Sequence, residues 1–202
     1  LQVIINILCV TFFIEAIGGY LIYQSVRGTL PGGTSQELFY ALFHAVIGFC
    51  NAGMSTLSGN MADPLIVHNN ALHLSVVMLV VLGGIGFPIL FNLLSLLRHQ
   101  LLGAARRLFD PRKRPAHHPH IINLHTSVVV TMTAALLIGG SLLYFLFERH
   151  NSLAGLPLGE QLAQALFGAA TPRSAGFNAT DVSALRAPTL ILTWMLMLIG
   201  AG

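Results

Sequence analysis

Charge is what this chain has least of. Its 202 residues include ten Lys and Arg and seven Asp and Glu, 8% in all, where soluble domains carry about 25%. With 54% of residues hydrophobic and a mean hydropathy of +0.75, a soluble globular fold is excluded. A nucleic-acid binder is excluded too, because its basic charge needs a solvated face and a net charge of +3 on so apolar a chain provides none. Cysteine is nearly as scarce. Cys9 and Cys50 lie far apart in apolar stretches, which rules out a disulfide framework or a CxxC metal knuckle. No cleavable signal is expected, since the first apolar run is too long for a signal core. The chain opens on Leu1 and stops at Gly202 inside an apolar run, so it is expected to be a piece of a longer protein.

What the chain does have is long apolar runs. A bilayer core of roughly 30 Å needs about 20 apolar helical residues, and residues 3–24, 71–97, 124–147 and 188–202 qualify or nearly qualify. Two shorter runs, 36–49 and 160–170, reach only about 15 to 20 Å, roughly half the membrane. Each begins with helix-start chemistry. Thr34-Ser35-Gln36-Glu37 has the capping-box spacing, and Glu160 supplies an acidic first turn after Pro157. Each ends in a glycine loop, Cys50-Asn51-Ala52-Gly53-Met54 and Arg173-Ser174-Ala175-Gly176-Phe177. The order span, half-helix, glycine loop, span thus occurs twice, with a period of about 123 residues from Gly53 to Gly176. Duplication of this kind builds membrane transport proteins. The expected fold is an all-α membrane protein of repeated span–pore half-helix–span units with re-entrant glycine loops. Its parts are a first unit 1–98, a basic loop 99–123 and a second unit 124–202.

Arg98, Arg106, Arg107, Arg112, Lys113 and Arg114 concentrate the positive charge between the second and third spans. The positive-inside rule makes that loop cytoplasmic, so both half-helices enter from outside. Together with His99, His117, His118 and His120 the loop also invites an anionic-lipid, nucleotide or zinc reading. No Cys or carboxylate pair completes a ligand set, and solvated histidines in a topogenic loop are expected.

Non-helical backbone at membrane depth survives only where protein packs it or it lines an aqueous path. A half-helix ending at such a loop aims its partly negative C-terminus at the membrane centre, which favours a cation. Freed carbonyls can replace the water around a dehydrated ion, and glycine permits backbone that a Cβ forbids. The alternative is that Gly53 and Gly176 are turn glycines with no ion.

The stretch Phe43-His44-Ala45-Val46-Ile47-Gly48-Phe49-Cys50-Asn51-Ala52-Gly53-Met54-Ser55 resembles the second pore loop of the Trk/Ktr/HKT superfamily of potassium transporters. Ala165-Leu166-Phe167 through Thr171-Pro172-Arg173-Ser174-Ala175-Gly176-Phe177-Asn178 resembles the third. Leu82-Gly83-Gly84-Ile85-Gly86-Phe87-Pro88 and Glu15-Ala16-Ile17-Gly18 are similar to the spans flanking the second loop. The resemblance implies a multi-pass K+-translocating subunit of the inner or plasma membrane, not an enzyme. Its complete form has four repeats around one pore and a gate in the third repeat's last span. The filter residues it implies are Asn51, Ala52, Gly53, Ser174, Ala175 and Gly176, binding K+ through backbone carbonyls, with no transition-metal site and no covalent cofactor. A homodimer and a cytosolic nucleotide-binding regulatory subunit are implied as partners, and nucleic acid is not. Ile47-Gly48 stands where the family often has a small polar pair, and Met54 where it often has Phe. Both bear on ion preference and rate. Na+ or ammonium is the alternative cargo. A membrane redox or haem protein, suggested by nine histidines, lacks His pairs on facing spans.

Arg173 is expected to point behind the filter and pair with a carboxylate or loop carbonyls, since a guanidinium on the axis would repel K+. Glu15 needs a partner or water within its span. A structural pair is expected, with a vestibule cation site as the alternative. Asp63 and Asp181 could concentrate cations at the outer face, although Asp181 also reads as the N-cap of a short turn at 182–185. His44 reads as a packed neutral histidine rather than a proton-coupling group. Gly83, Gly84, Gly86 and Pro88 read as allowing close helix approach and a kink.

Overall fold

The computed structural model describes residues 1–109 and 124–200, with side chains described outside 99–109. Among the described residues there are helices and turns and no strand. The helices are α1 (Gln2–Val26), α2 (Gly33–Phe49), α3 (Asn70–Gly84), α4 (Phe87–Phe109), α5 (Leu124–Glu148), α6 (Leu158–Ala170) and α7 (Ala187–Gly200). Among the described residues only α1 and α5, 25 residues each, are singly long and apolar enough to cross a bilayer. A third span results when α3 and the first part of α4 are taken as one interrupted segment. Phe12, Phe13 and Tyr20 of α1 and Met132, Ile138 and Leu142 of α5 are exposed, an apolar surface that suits lipid and not water.

The apolar run 71–97 is not one helix. It breaks between Gly84 and Phe87, where Gly86 sits at φ +89°, a left-handed conformation that ends the helical ladder and that glycine adopts without strain. Helix α4 then continues to Phe109, so the first part of the segment expected as a loop, 99–109, is helical. Arg112, Lys113, Arg114 and the histidines at 117, 118 and 120 lie outside the described residues.

The chain divides into two compact units, 1–84 with 134–200, and 85–133. In the first unit α1 packs on α2 and α3, and α3 packs on α6. Small residues set these approaches. A Cβ on Gly18 would meet Leu79 Cδ2 at 2.5 Å, and the same leucine lies 3.5 Å from a Cβ built on Gly48. Leu79 therefore fills a hollow made by two glycines, the device by which apolar helices gain contact without a hydrophobic driving force between them. Gly168 does the same for Tyr144, whose ring atoms lie 2.6 to 3.0 Å from the position of a Cβ there. Tyr144, Leu153, Ala165, Ala169, Leu192 and Leu196 form the buried cluster of this half.

Polar clasps tie the helix ends. Asn69 donates from Nδ2 to Ser25 O at 2.6 Å and accepts from Leu72 N at 3.0 Å, joining the end of α1 to the start of α3. The buried Glu148 does this for α5 and α7. Its Oε1 accepts from Arg186 N (2.9 Å) and Thr189 Oγ1 (2.5 Å), and its Oε2 from Asn151 Nδ2 (2.7 Å) and Ser152 Oγ (2.9 Å). In the second unit, Asn92 Nδ2 donates to Thr126 Oγ1 at 2.8 Å.

The capping box at Thr34–Glu37 does not form. Helix α2 starts at Gly33 with no side-chain cap, and Glu37, 4% exposed, accepts from Gly28 N at 2.5 Å instead. The turn through Gly28 and Gly33, both at positive φ, brings that amide within reach of the carboxylate.

Candidate functional site

Helix α2 closes with a Schellman cap. Ala52 N donates to Ile47 O at 3.0 Å and Asn51 N to Gly48 O at 3.2 Å, with Asn51 left-handed at φ +54°, the conformation this motif places just after the helix. The cap turns the chain back so that Ala52 and Gly53 leave the helix axis. Gly53 follows at φ +67°. A Cβ on it would land on the carbonyl oxygen of Ala175, with Gly176 C 3.1 Å away. The two glycine loops thus meet backbone to backbone, at a spot where only a hydrogen fits.

The second loop is built differently. Helix α6 passes into a short 3-10 turn, Thr171–Arg173, and Ala175 N and Gly176 N both donate to Thr171 O at 3.0 Å. Thr171 Oγ1 is anchored on Phe167 O at 3.0 Å. Gly176 is at φ +76°, and a Cβ there would meet nothing within 4 Å. Ala175 is 4% exposed, whereas Ser174, Gly176 and Ala52 are exposed.

Asn51 joins the loops through its side chain. The two ends of an amide are told apart by their partners. Here the nitrogen donates to Ser174 Oγ at 3.1 Å and Val80 O at 3.2 Å, while Oδ1 accepts from Gly84 N at 3.2 Å. Its side chain was expected only to let the backbone pack. In the structure it connects the loop to α3 and to the second loop, a role that sequence reading missed because all three partners are distant in the chain. Gly83 adds a further close approach, since a Cβ there would fall on Phe49 O.

His44 is fully buried and braces the first loop from behind. Its Nδ1 lies 2.8 Å from Tyr40 O, a pure acceptor, so the proton is on Nδ1 and Nε2 accepts from Ser55 Oγ at 3.0 Å. The ring stacks on Tyr40 at 3.8 Å and faces Phe177 of the second loop at 6.5 Å. Asn60 Nδ2 donates to Gly53 O at 3.2 Å, holding that carbonyl by one of its lone pairs. Between the halves, His68 Nδ1 meets Glu160 Oε1 at 2.5 Å, and Gln164 Nε2 donates to Val67 O at 3.3 Å. The acidic first turn of α6 hinted at Glu160, but nothing local named His68 as its partner.

Arg173 is half-buried and lies along α7, with its Cβ and Cγ 2.7 Å from the position of a Cβ on Gly200. Glu15 is 9% exposed on the face of α1 that carries Gly18 and Gly19. Asp63 Oδ1 accepts from Leu65 N at 3.1 Å within its own loop. Asp181 is the N-cap of Val182–Ala184. Hydrogen bonds from Ser183 Oγ (2.8 Å) and Ser183 N (2.9 Å) hold its carboxyl below the ordinary range for Asp. Among the described residues no group of three or more His, Cys, Asp or Glu is arranged to hold a metal ion.

Comparison with known proteins gives this geometry a setting. Residues 1–202 match the TrkH family, described as cation transport protein. The chain is 33% identical over 190 residues to the Ktr system potassium uptake protein B of Vibrio alginolyticus, covering 93% of this chain and 37% of that protein. It is 33% identical over 180 residues to the protein of the same name from Bacillus subtilis, covering 88% and 36%. It is 32% identical over 203 residues to the potassium/sodium uptake protein NtpJ of Enterococcus hirae, covering 99% and 39%. The chain therefore spans less than two fifths of the length of these relatives. Apolar helices and a match along the whole chain lead to one assignment: this is a membrane protein that belongs to the TrkH family of cation transport proteins.

Proposed function

We propose that this chain forms part of a K+ uptake path across the inner or plasma membrane, a multi-pass arrangement in which the two glycine loops are re-entrant and line the ion's route. The observation that carries the reading is the approach of Gly53 to the Ala175 carbonyl, which brings loops from the two repeats to one place. The backbone carbonyls of Asn51, Ala52, Gly53, Ser174, Ala175 and Gly176 would replace part of the hydration shell of K+. The C-terminal end of α2, next to the first loop, adds favourable potential for a cation. The ion is cargo, and no covalent cofactor is needed for its passage. The relatives are named potassium uptake proteins, which supports K+ as that cargo. Assembly as a homodimer, with a cytosolic nucleotide-binding regulatory subunit, completes the proposal.

A second reading, Na+ as cargo, is favoured by one relative whose name joins potassium and sodium. Growth separates the two. The complete transporter, expressed in bacteria that lack their own K+ uptake systems, is expected to restore growth at low external K+. Failure to restore growth, with Na+ entry in its place, would favour the second reading.

A further inference from the structure

We propose that the side-chain amide of Asn51 is the positioning group that fixes the spacing of the two glycine loops and so sets the preference for K+ over Na+. This rests on the ion path proposed between those loops.

The backbone at Asn51 is left-handed at φ +54° and occupies the cap position where glycine is the commonest residue. Asparagine tolerates that conformation, but the turn itself does not need its side chain. The amide is used at both ends. It holds Val80 O and Gly84 N in the last turn of α3, and it reaches Ser174 Oγ at 3.1 Å. Asn51 lies two residues before Gly53, and Ser174 lies two residues before Gly176. One planar, rigid group therefore links the loops at matching positions in their sequences and anchors them to a helix.

The consequence concerns ion size. In the cavity-size account of selectivity, a ring of carbonyls free to contract closes on the smaller Na+ as well as on K+, whereas a ring held apart leaves Na+ poorly coordinated. A cross-link between the loops resists the contraction. The Ala175 carbonyl already abuts Gly53, so small changes in loop spacing act directly on the backbone there.

The experiment measures Rb+ and Na+ uptake by the complete transporter in K+-uptake-deficient cells, normalised to protein in the membrane. Asn51→Gly keeps the turn and removes the amide. Its Rb+/Na+ uptake ratio is expected to fall about tenfold, the effect of losing roughly one hydrogen bond's worth of restraint. Ser174→Ala removes one of the amide's links and is expected to lower the ratio less. The double variant is expected to match Asn51→Gly alone, because both remove the same link. Asn51→Asp, which sets an oxygen against Val80 O, is expected to lose the preference as well.

A wild-type ratio in Asn51→Gly, or independent additive losses in the double variant, would overturn the proposal while leaving the ion path standing. If Asn51→Gly does not reach the membrane, an unchanged ratio in Ser174→Ala overturns it. A wild-type transporter that takes up no Rb+ would overturn the ion path and this inference with it.

Discussion

Gly53 stands so close to Ala175 that a methyl group on it would sit on the Ala175 carbonyl oxygen. Gly176, the matching residue of the second loop, has open space where its Cβ would be. Both glycines are at positive φ, so alanine strains the backbone at each by about 1 kcal/mol, but only at Gly53 does it also collide with backbone. Gly53→Ala is therefore expected to abolish Rb+ uptake, and Gly176→Ala to reduce it while retaining a measurable rate. Equal rates in the two variants, or the reverse order, would contradict the geometry.

Glu148 is fully buried and accepts hydrogen bonds from the start of α7 as well as from its own end of α5. Removing it strands those donors. Glu148→Ala is expected to destabilise the protein by about 3 kcal/mol, read as a lower midpoint of thermal unfolding in detergent. Glu148→Gln, which keeps the shape and part of the acceptor set, should fall between wild type and alanine. A midpoint unchanged in Glu148→Ala would show that the clasp contributes nothing.

Gly168 faces the ring of Tyr144, which is 2% exposed and bonded through its hydroxyl to Thr180 Oγ1 at 2.9 Å. The ring has little room to retreat. Gly168→Ala is expected to cost about 1 to 3 kcal/mol through overpacking. Adding Tyr144→Val should relieve the clash, so the double variant loses less than the sum of the single losses. Strict additivity would mean that the two residues do not press on each other.

The long apolar runs revealed α1, α5 and the two short helices because hydrophobicity sustained over a helix's length is written locally. Asp181 was legible as an N-cap for the same reason, since cap and turn are neighbours in the chain. The bend at Gly84–Gly86 was legible as a kink in the glycines and Pro88. That the helix stops there and restarts at Phe87 was not, since glycines are compatible with a milder kink. The role of Glu37 was misread because its partner, Gly28, depends on a turn with two positive-φ glycines. His68 with Glu160, and Asn51 with Ser174, are pairings 92 and 123 residues apart. Residue type named these as polar positions, and folding supplied the partner.

Rubidium influx into liposomes that hold the purified complete transporter tests most directly whether the glycine loops line the ion's route. Gly53→Asp and Gly176→Asp each add a carboxylate at a glycine whose carbonyl is proposed to face the ion. Wild type is expected to give influx that K+ competes and Na+ does not, and each aspartate variant is expected to lose it while remaining in the membrane in normal amount. K+-competed influx persisting at the wild-type rate in both variants would contradict the placement of the path between Gly53 and Gly176.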